Sequence, residues 1–353
     1  MVSARMAAVK KTVRSRGFLA GAAVLACVVT AALAADKADV SDLTTQDITV
    51  SARPISFASA QPEKRDFGAL TFIGGLVLSS TSSYFGGYSG LALDAKGERL
   101  LTISDSGSWL SGKLDYKDGV PSGISDARIG PIPAKNGKPL KKGERDVESI
   151  VALKAGGIDG RYLLGFERRH RIEEYAFEKG EMRGPLGKRA IPDQLKGMKS
   201  NGGLEDLTIL RGGPYAGAMI TFSEKMLTDD GRHTGALVKD GKSQPLFMKR
   251  YEEFDITDMQ STSDGSLVVL ERSFNPALLR VGTRMRLIKA ADVKPGATLD
   301  GQLLLEAGPG LEIDNFEGLA ITENDKREIV LTIISDDNFN FIQRTLLMQF
   351  KIK

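Results

Sequence analysis

Five times along this 353-residue chain a short β-prone run opens on a polar or glycine position, and the five runs are almost evenly spaced. The copies are Tyr88-Ser89-Gly90-Leu91-Ala92-Leu93, Val147-Glu148-Ser149-Ile150-Val151-Ala152, Leu204-Glu205-Asp206-Leu207-Thr208-Ile209, a degenerate Thr257-Asp258-Met259, and Phe316-Glu317-Gly318-Leu319-Ala320-Ile321. Measured between Gly90, Ser149, Asp206, Asp258 and Gly318, the intervals are 59, 57, 52 and 60 residues, the size of one four-stranded blade with its loops. A second signature travels with the first. Between 13 and 18 residues further on, an apolar strand ends in an acid, at Asp105, Glu167, Glu224, Glu271 and Asp336. Linked repetition of this kind predicts an all-β chain folded as a β-propeller of five or six blades, a ring in which radial repetition leaves only short, protected sheet edges.

The remaining chain agrees with that expectation. Short Val, Ile, Leu, Phe and Tyr runs bounded by Gly, Asp, Asn or Pro dominate it, which is the pattern of turn-bounded strands. The best helical stretches, near 191–198 and 252–259, are short and interrupted. The propeller is expected over residues 67–353, preceded by a polar leader at 35–66. A strand before the first copy is expected to pair with the last strand, at 345–352, and close the ring.

Residues 1–34 read as a secretory signal peptide. Arg5, Lys10, Lys11, Arg14 and Arg16 precede an apolar run and no acid occurs there, while Ala32-Leu33-Ala34 offers the small residues a signal peptidase requires. The protein is therefore expected to be exported, periplasmic or secreted, with no permanent membrane span after cleavage; lipidation at Cys27 is the alternative. Cys27 is the only cysteine, so the mature chain would carry no disulfide, thiolate nucleophile or thiolate-bound zinc. Without the five N-terminal cations, the 48 Lys and Arg fall to 43 against 45 Asp and Glu, a net charge of −2. A near-neutral body has no electrostatic footprint for nucleic acid.

The Tyr88 to Leu93 run, Asp146-Val147-Glu148-Ser149-Ile150, Gly165-Phe166-Glu167-Arg168, Gly203-Leu204-Glu205-Asp206-Leu207, Asp314-Asn315-Phe316-Glu317-Gly318-Leu319 and Ser335-Asp336-Asp337-Asn338-Phe339 carry a further message. As a set they resemble the "esterase-like activity of phytase" family of bacterial exported proteins, over roughly residues 67 to 350. The resemblance implies a propeller and, through the family's name, hydrolysis of a phosphoester or a carboxylic ester.

Equivalent positions of successive blades converge on one end of the channel, so repeated acids should form a ring. Asp105, Glu148, Glu317, Asp336 and Asp337 are the expected ligands for Ca²⁺ or Mg²⁺, both of which take hard oxygen donors. Glu167, Glu205 and Glu271 are the expected catalytic carboxylates, with Arg168, Lys225 and Arg272 gripping the oxygens of a small anionic substrate. The competing reading is that the acids bond backbone amides in turns and the cations form ordinary ion pairs. Trp109 would line the mouth or pack between blades. Other chemistries fare worse: Ser89 is followed at once by Gly90, unlike the G-x-S-x-G elbow, and only His170 and His233 are available as imidazole bases. No phosphate-binding G-x-x-x-x-G-K-[ST] loop occurs. The alternative function is a non-catalytic propeller that binds a small ligand or a cell-envelope partner, since fold alone does not imply catalysis.

Overall fold

Two-residue turns cut the chain into hairpins. Asp118-Gly119, Lys179-Gly180 and Asp240-Gly241 all have positive φ at both residues, as a tight hairpin whose twist matches its strands requires. Each joins the third and fourth strands of a blade. The computed structural model describes residues 37–275, 280–324 and 326–353, so the expected signal peptide at 1–34 and Cys27 lie outside the described residues.

The strands form five antiparallel sheets, with one parallel edge pairing in the third. The first comprises Tyr88–Leu93, Arg99–Ser104, Ser108–Lys117 and Val120–Pro131, edged by Gln46–Asp47. The second comprises Val147–Ala152, Gly160–Phe166, Arg171–Glu178 and Glu181–Arg189. Thr208–Ile209, Met219–Leu227, His233–Lys239 and Lys242–Met248 make the third, with Thr298–Leu299 at its edge. Asp255–Ser261, Leu267–Asn275, Arg280–Ile288 and Gln302–Ala307 make the fourth. The fifth joins Asn315–Glu323, Ile329–Asp336 and Thr345–Ile352 to Leu70–Ser79 and Ser51–Ile55 from the other end of the chain. First strands of neighbouring sheets adjoin in cyclic order, including the fifth against the first. The fold is a five-bladed β-propeller.

Among the described residues the helices are three short 3₁₀ turns, Lys142–Glu144, Asp193–Leu195 and Ala290–Asp292. The expected helix near 191–198 is reduced to the second of these, and that near 252–259 is largely strand. No helix among the described residues is long and apolar enough to cross a membrane.

Each blade is covered on both faces, which explains the near-continuous apolar strands. Successive strand residues point to opposite faces, and in Leu267–Asn275 they divide accordingly. Val268 and Leu270 enter the core shared with the fifth blade, while Leu267 and Val269 enter that shared with the third. Five such inter-blade cores exist, one at each junction. Trp109 is buried in one, edge-on to Phe177 at 5.1 Å, with its indole N–H donating to the Pro131 carbonyl. It packs between blades and does not line the mouth.

The ring closes as the sequence predicts, by pairing of Thr345–Ile352 with Leu70–Ser79 from Ile352 against Leu70 to Thr345 against Leu78. Part of the polar leader is also built into the ring: Ser51–Ile55 extends the same sheet, and Phe57 is buried against Phe67, Phe72 and Phe350. Leu347, fully buried on the closing strand, therefore holds both ends of the chain. Leu347→Ala is expected to cost about 3 kcal/mol in urea unfolding, whereas Phe341→Ala, at a side chain 92% exposed, should change stability by less than about 0.5 kcal/mol. Equal effects would contradict this account of closure.

Candidate functional site

The first strand of each blade carries one residue too many. Pairing passes from Tyr88–Ser104 to Gly90–Ile103 without using Ser89, and from Val147–Phe166 to Ser149–Gly165 without using Glu148. Thr257 is bypassed in the fourth blade and Glu317 in the fifth. In the third, Leu204 bridges Ser223 and Thr208 pairs with Ile220, leaving an extra residue in the interval that holds Glu205. A bulge of this kind re-aims a side chain. Here it turns Glu148, Glu205 and Glu317 towards one end of the channel. Gly318, just beyond its bulge, sits where a Cβ would meet Ile334 Cγ2 at 2.6 Å and the Gly90 backbone at 3.1 Å, so the lack of a side chain lets the fifth and first blades close up.

Around the bulges stand the acids that end the second strands. The carboxylate oxygens of Asp146, Glu148 and Glu167 lie within 4.8 Å of one another, a spacing that one cation could bridge. Glu167 also accepts a short hydrogen bond from the Gly203 amide. Asp105 is buried, with Oδ1 lacking any protein partner. Lys37, from the leader, reaches across to ion-pair with Asp105 at 2.8 Å and with Asp146. Burial would lower the Lys37 pKa, but the charges of Asp105, Glu148 and Asp146 outweigh it and hold the ammonium protonated.

Crowding sets the ionisation of the ring. Burial, then repulsion from Glu148, Glu224, Glu167 and Glu317, pushes the Glu205 pKa well above the usual carboxylate range. Burial and Asp105 do the same for Glu148, and burial with Glu317 and Asp105 for Asp336. Glu317 is pushed up to about 7 by burial, even though the Arg272 guanidinium pulls the other way. Carboxylates held this close favour either protons or a cation.

The three acid–base pairs resolve differently. Arg168 turns out of its strand at φ 53° and bonds Asp146, with its side chain 58% exposed. Lys225, half exposed, lies 3.1 Å from Glu224 and also holds Asp255. In the fourth blade the strand persists through both residues, and only Arg272 faces the ring, at 2.7 Å from Glu317 and 3.5 Å from Glu224. Glu271, expected as a catalytic carboxylate, points to the opposite face. It is fully buried in a two-pronged ion pair with Arg286, at 2.5 and 2.8 Å, and is not brought to the ring.

One other expectation changes. Asp337, expected as a metal ligand, is taken up by the backbone: Oδ1 accepts the amides of Gly87 and Phe339, each at 3.0 Å, and Oδ2 the Thr345 hydroxyl at 2.8 Å. Asp258 does not stand in for a ring acid, because Thr257 holds the bulge and Asp258 accepts the amides of Leu319 and Met259 at 2.7 Å each. Asp105, Glu148, Glu317 and Asp336 do converge, together with Glu167 and Glu205. The sequence reading missed Asp146 and Lys37 as site residues. Asp146 had a signal, since Asp146, Asp255 and Asn315 each stand two residues before a bulge position. Both histidines stand outside the ring's chemistry: His170 Nε2 bonds the Lys199 carbonyl at 2.7 Å, and burial pushes the His233 pKa down to about 4.

Residues 83–339 match the family model described as Phytase-like, esterase-like activity of phytase. The chain belongs to this family. The match spans every ring residue named above except Lys37. No curated protein matches the sequence. Among solved structures, an endo-arabinase from Bacteroides thetaiotaomicron is similar at 12% identity and a TM-score of 0.46, covering 77% of this chain and 95% of its own. A gluconolactonase from Xanthomonas campestris is similar at 14% identity and a TM-score of 0.40, covering 89% of this chain and 91% of its own. The propeller assignment rests on the sheet order and not on these likenesses.

A raised carboxylate pKa has a signed consequence for stability. Between the ordinary glutamate value and the raised one, the folded chain holds a proton that the unfolded chain has lost, so stability falls as pH rises through that window. Glu205→Gln removes this burden. Without divalent cations, the variant should melt about 2 °C or more above the unaltered protein near pH 8 and within about 1 °C of it near pH 4. A lower melting temperature near pH 8 would show that the Glu205 carboxylate is a stabilising structural group.

Proposed function

We propose that this member of the phytase-like family is an exported hydrolase that cleaves a phosphoester or related anionic ester at the acid-ring mouth, assisted by a divalent cation such as Ca²⁺ or Mg²⁺. The observation that carries the reading is the convergence of bulge-borne Glu148, Glu205 and Glu317 with Asp105, Asp146 and Glu167 beside two outward-reaching cations. The donor set fits a hard cation: the residues are all carboxylates, three offer oxygens within 4.8 Å of one another, and Asp105 Oδ1 has no protein partner. In this reading Asp146, Glu148 and Glu167 hold the ion, and the Lys37 ammonium, which shares Asp146, gives way to it. A bound cation would polarise the ester oxygen and ease ionisation of water.

The chain's own groups supply the rest. Arg168 and Lys225, both at least half exposed, are placed to take non-bridging oxygens of the substrate. Arg272 stays against Glu317 and Glu224 and keeps those carboxylates apart. Glu205 makes no hydrogen bond or ion pair through its carboxylate among the described residues, and burial with the neighbouring carboxylates raises its pKa. Its ionised form is favoured when the neighbouring carboxylates hold a cation, and that carboxylate takes the proton of the attacking water while the water oxygen bonds to phosphorus. The bond to the leaving oxygen breaks, and that oxygen departs with a proton from solvent. Phe341 and Ile342, exposed on the loop that leaves Asp336, offer apolar surface to the body of the substrate.

The test is a screen of para-nitrophenyl phosphate and para-nitrophenyl acetate with Ca²⁺, with Mg²⁺ and after chelation. The expected result is cation-dependent turnover of the phosphate, with kcat reduced about 100-fold or more by Glu205→Gln and KM little changed. Turnover that survives chelation would sink the role of the cation. Absence of turnover with any cation, in a protein that still binds anions, would favour the non-catalytic binding propeller.

A further inference from the structure

The first strands of the blades run on past the acid ring and open, three to five residues later, into a cavity of about 380 Å³. At roughly 3.3 Å per residue this second opening lies about 10–17 Å down the channel from the carboxylates. All five blades contribute, through Leu93, Ala152, Arg211, Ser261 and Ile321 among others. The volume falls within the range of small-molecule sites, roughly 300–1,000 Å³.

The walls are mostly apolar, including Leu91, Val151, Ala320 and Ile321. Against them stands a half-buried cation without a carboxylate partner among the described residues. Arg211 donates from Nη2 to the Ala152 carbonyl at 2.5 Å and from Nη1 to the Leu153 carbonyl at 3.3 Å. These two bonds fix the guanidinium and leave three of its five N–H groups for another acceptor. Burial pushes the Arg211 pKa down, with no acid to offset it. Lys154, also lining the cavity, likewise makes no ion pair among the described residues. The two acids of the lining are hydrogen-bonded and do not pair with Arg211: Asp94 accepts the amides of Glu98 and Arg99, and Glu323 the hydroxyl of Ser263, itself in the lining.

We propose that this second mouth is a binding site for a small amphipathic carboxylate, with its apolar body against the blade walls and its carboxylate on the Arg211 guanidinium. A desolvated guanidinium facing an apolar space gains most from an acceptor that brings both charge and apolar surface, which neither water nor inorganic phosphate does. The site lies apart from the acid ring and does not depend on the hydrolytic reading.

Isothermal titration of the mature protein with decanoate, decanol and inorganic phosphate tests the proposal. Saturable one-to-one binding of decanoate is expected, at least tenfold tighter than decanol or phosphate. Arg211→Gln should weaken it tenfold or more and Arg211→Lys should retain most of it. Ala152→Phe, which fills the cavity from a half-buried wall position, should abolish it and keeps the proposal testable if Arg211→Gln fails to fold. Equal affinity for decanol would reduce the site to an apolar cavity and overturn the proposal. An affinity unchanged in Arg211→Gln or Ala152→Phe, or no saturable decanoate binding at all, would overturn it too.

Discussion

Carboxylates held around one axis repel one another and lose hydration, and much of this propeller is arranged to bear that cost. The blades supply the rigid ring: five apolar inter-blade cores fix the first strands, and the pairing of Leu70–Ser79 with Thr345–Ile352 prevents the ring from opening to relieve the repulsion. The bulges then impose the direction of Glu148, Glu205 and Glu317. Without the extra residue, regular alternation would have turned those side chains towards a neighbouring blade. Relief comes from cations at the rim: Lys37 on Asp105 and Asp146, Arg168 on Asp146, Lys225 on Glu224 and Arg272 on Glu317. Relief is incomplete, as the raised pKa values of Glu148 and Glu205 record.

In the proposed function, that incompleteness is what separates a working ring from a structural one. Acids that serve the fold here are saturated by the backbone, as Asp258 is by the amides of Leu319 and Met259 and Asp337 by those of Gly87 and Phe339. Glu271 is matched tooth for tooth by Arg286. Glu205, by contrast, has close neighbours of its own charge and no hydrogen bond or ion pair through its carboxylate among the described residues, the nearby Arg272 guanidinium being taken by Glu317 and Glu224. An enzyme that handles a cation and a proton needs groups left in that condition, at a cost in stability.

How far the sequence could be read follows from what repeats and what does not. The propeller and its ring closure were legible, and the blade number was narrowed to five or six, because each blade repeats the same two signatures and the leftover end strands could pair. The acids of the ring were legible as repeated positions, but their directions were not, because a bulge is a register event that pattern spacing does not display. For that reason Glu271 looked equivalent to Glu167 although Arg272 faces the ring in its place. Lys37 was illegible for a different reason. It belongs to no repeat, and its contacts with Asp105 and Asp146 join residues 68 and 109 positions apart in the chain.

In the proposed function the bulge-borne ring holds one divalent cation at a defined place. Anomalous diffraction from crystals of the mature protein equilibrated with Mn²⁺ tests it most directly, because Mn²⁺ shares the oxygen-ligand chemistry of Mg²⁺ and scatters anomalously. The account predicts a single strong peak among the carboxylates of Asp146, Glu148 and Glu167, with the Lys37 ammonium moved off Asp146. A structure in which Lys37 keeps its two carboxylates and no anomalous peak lies at the ring would contradict it.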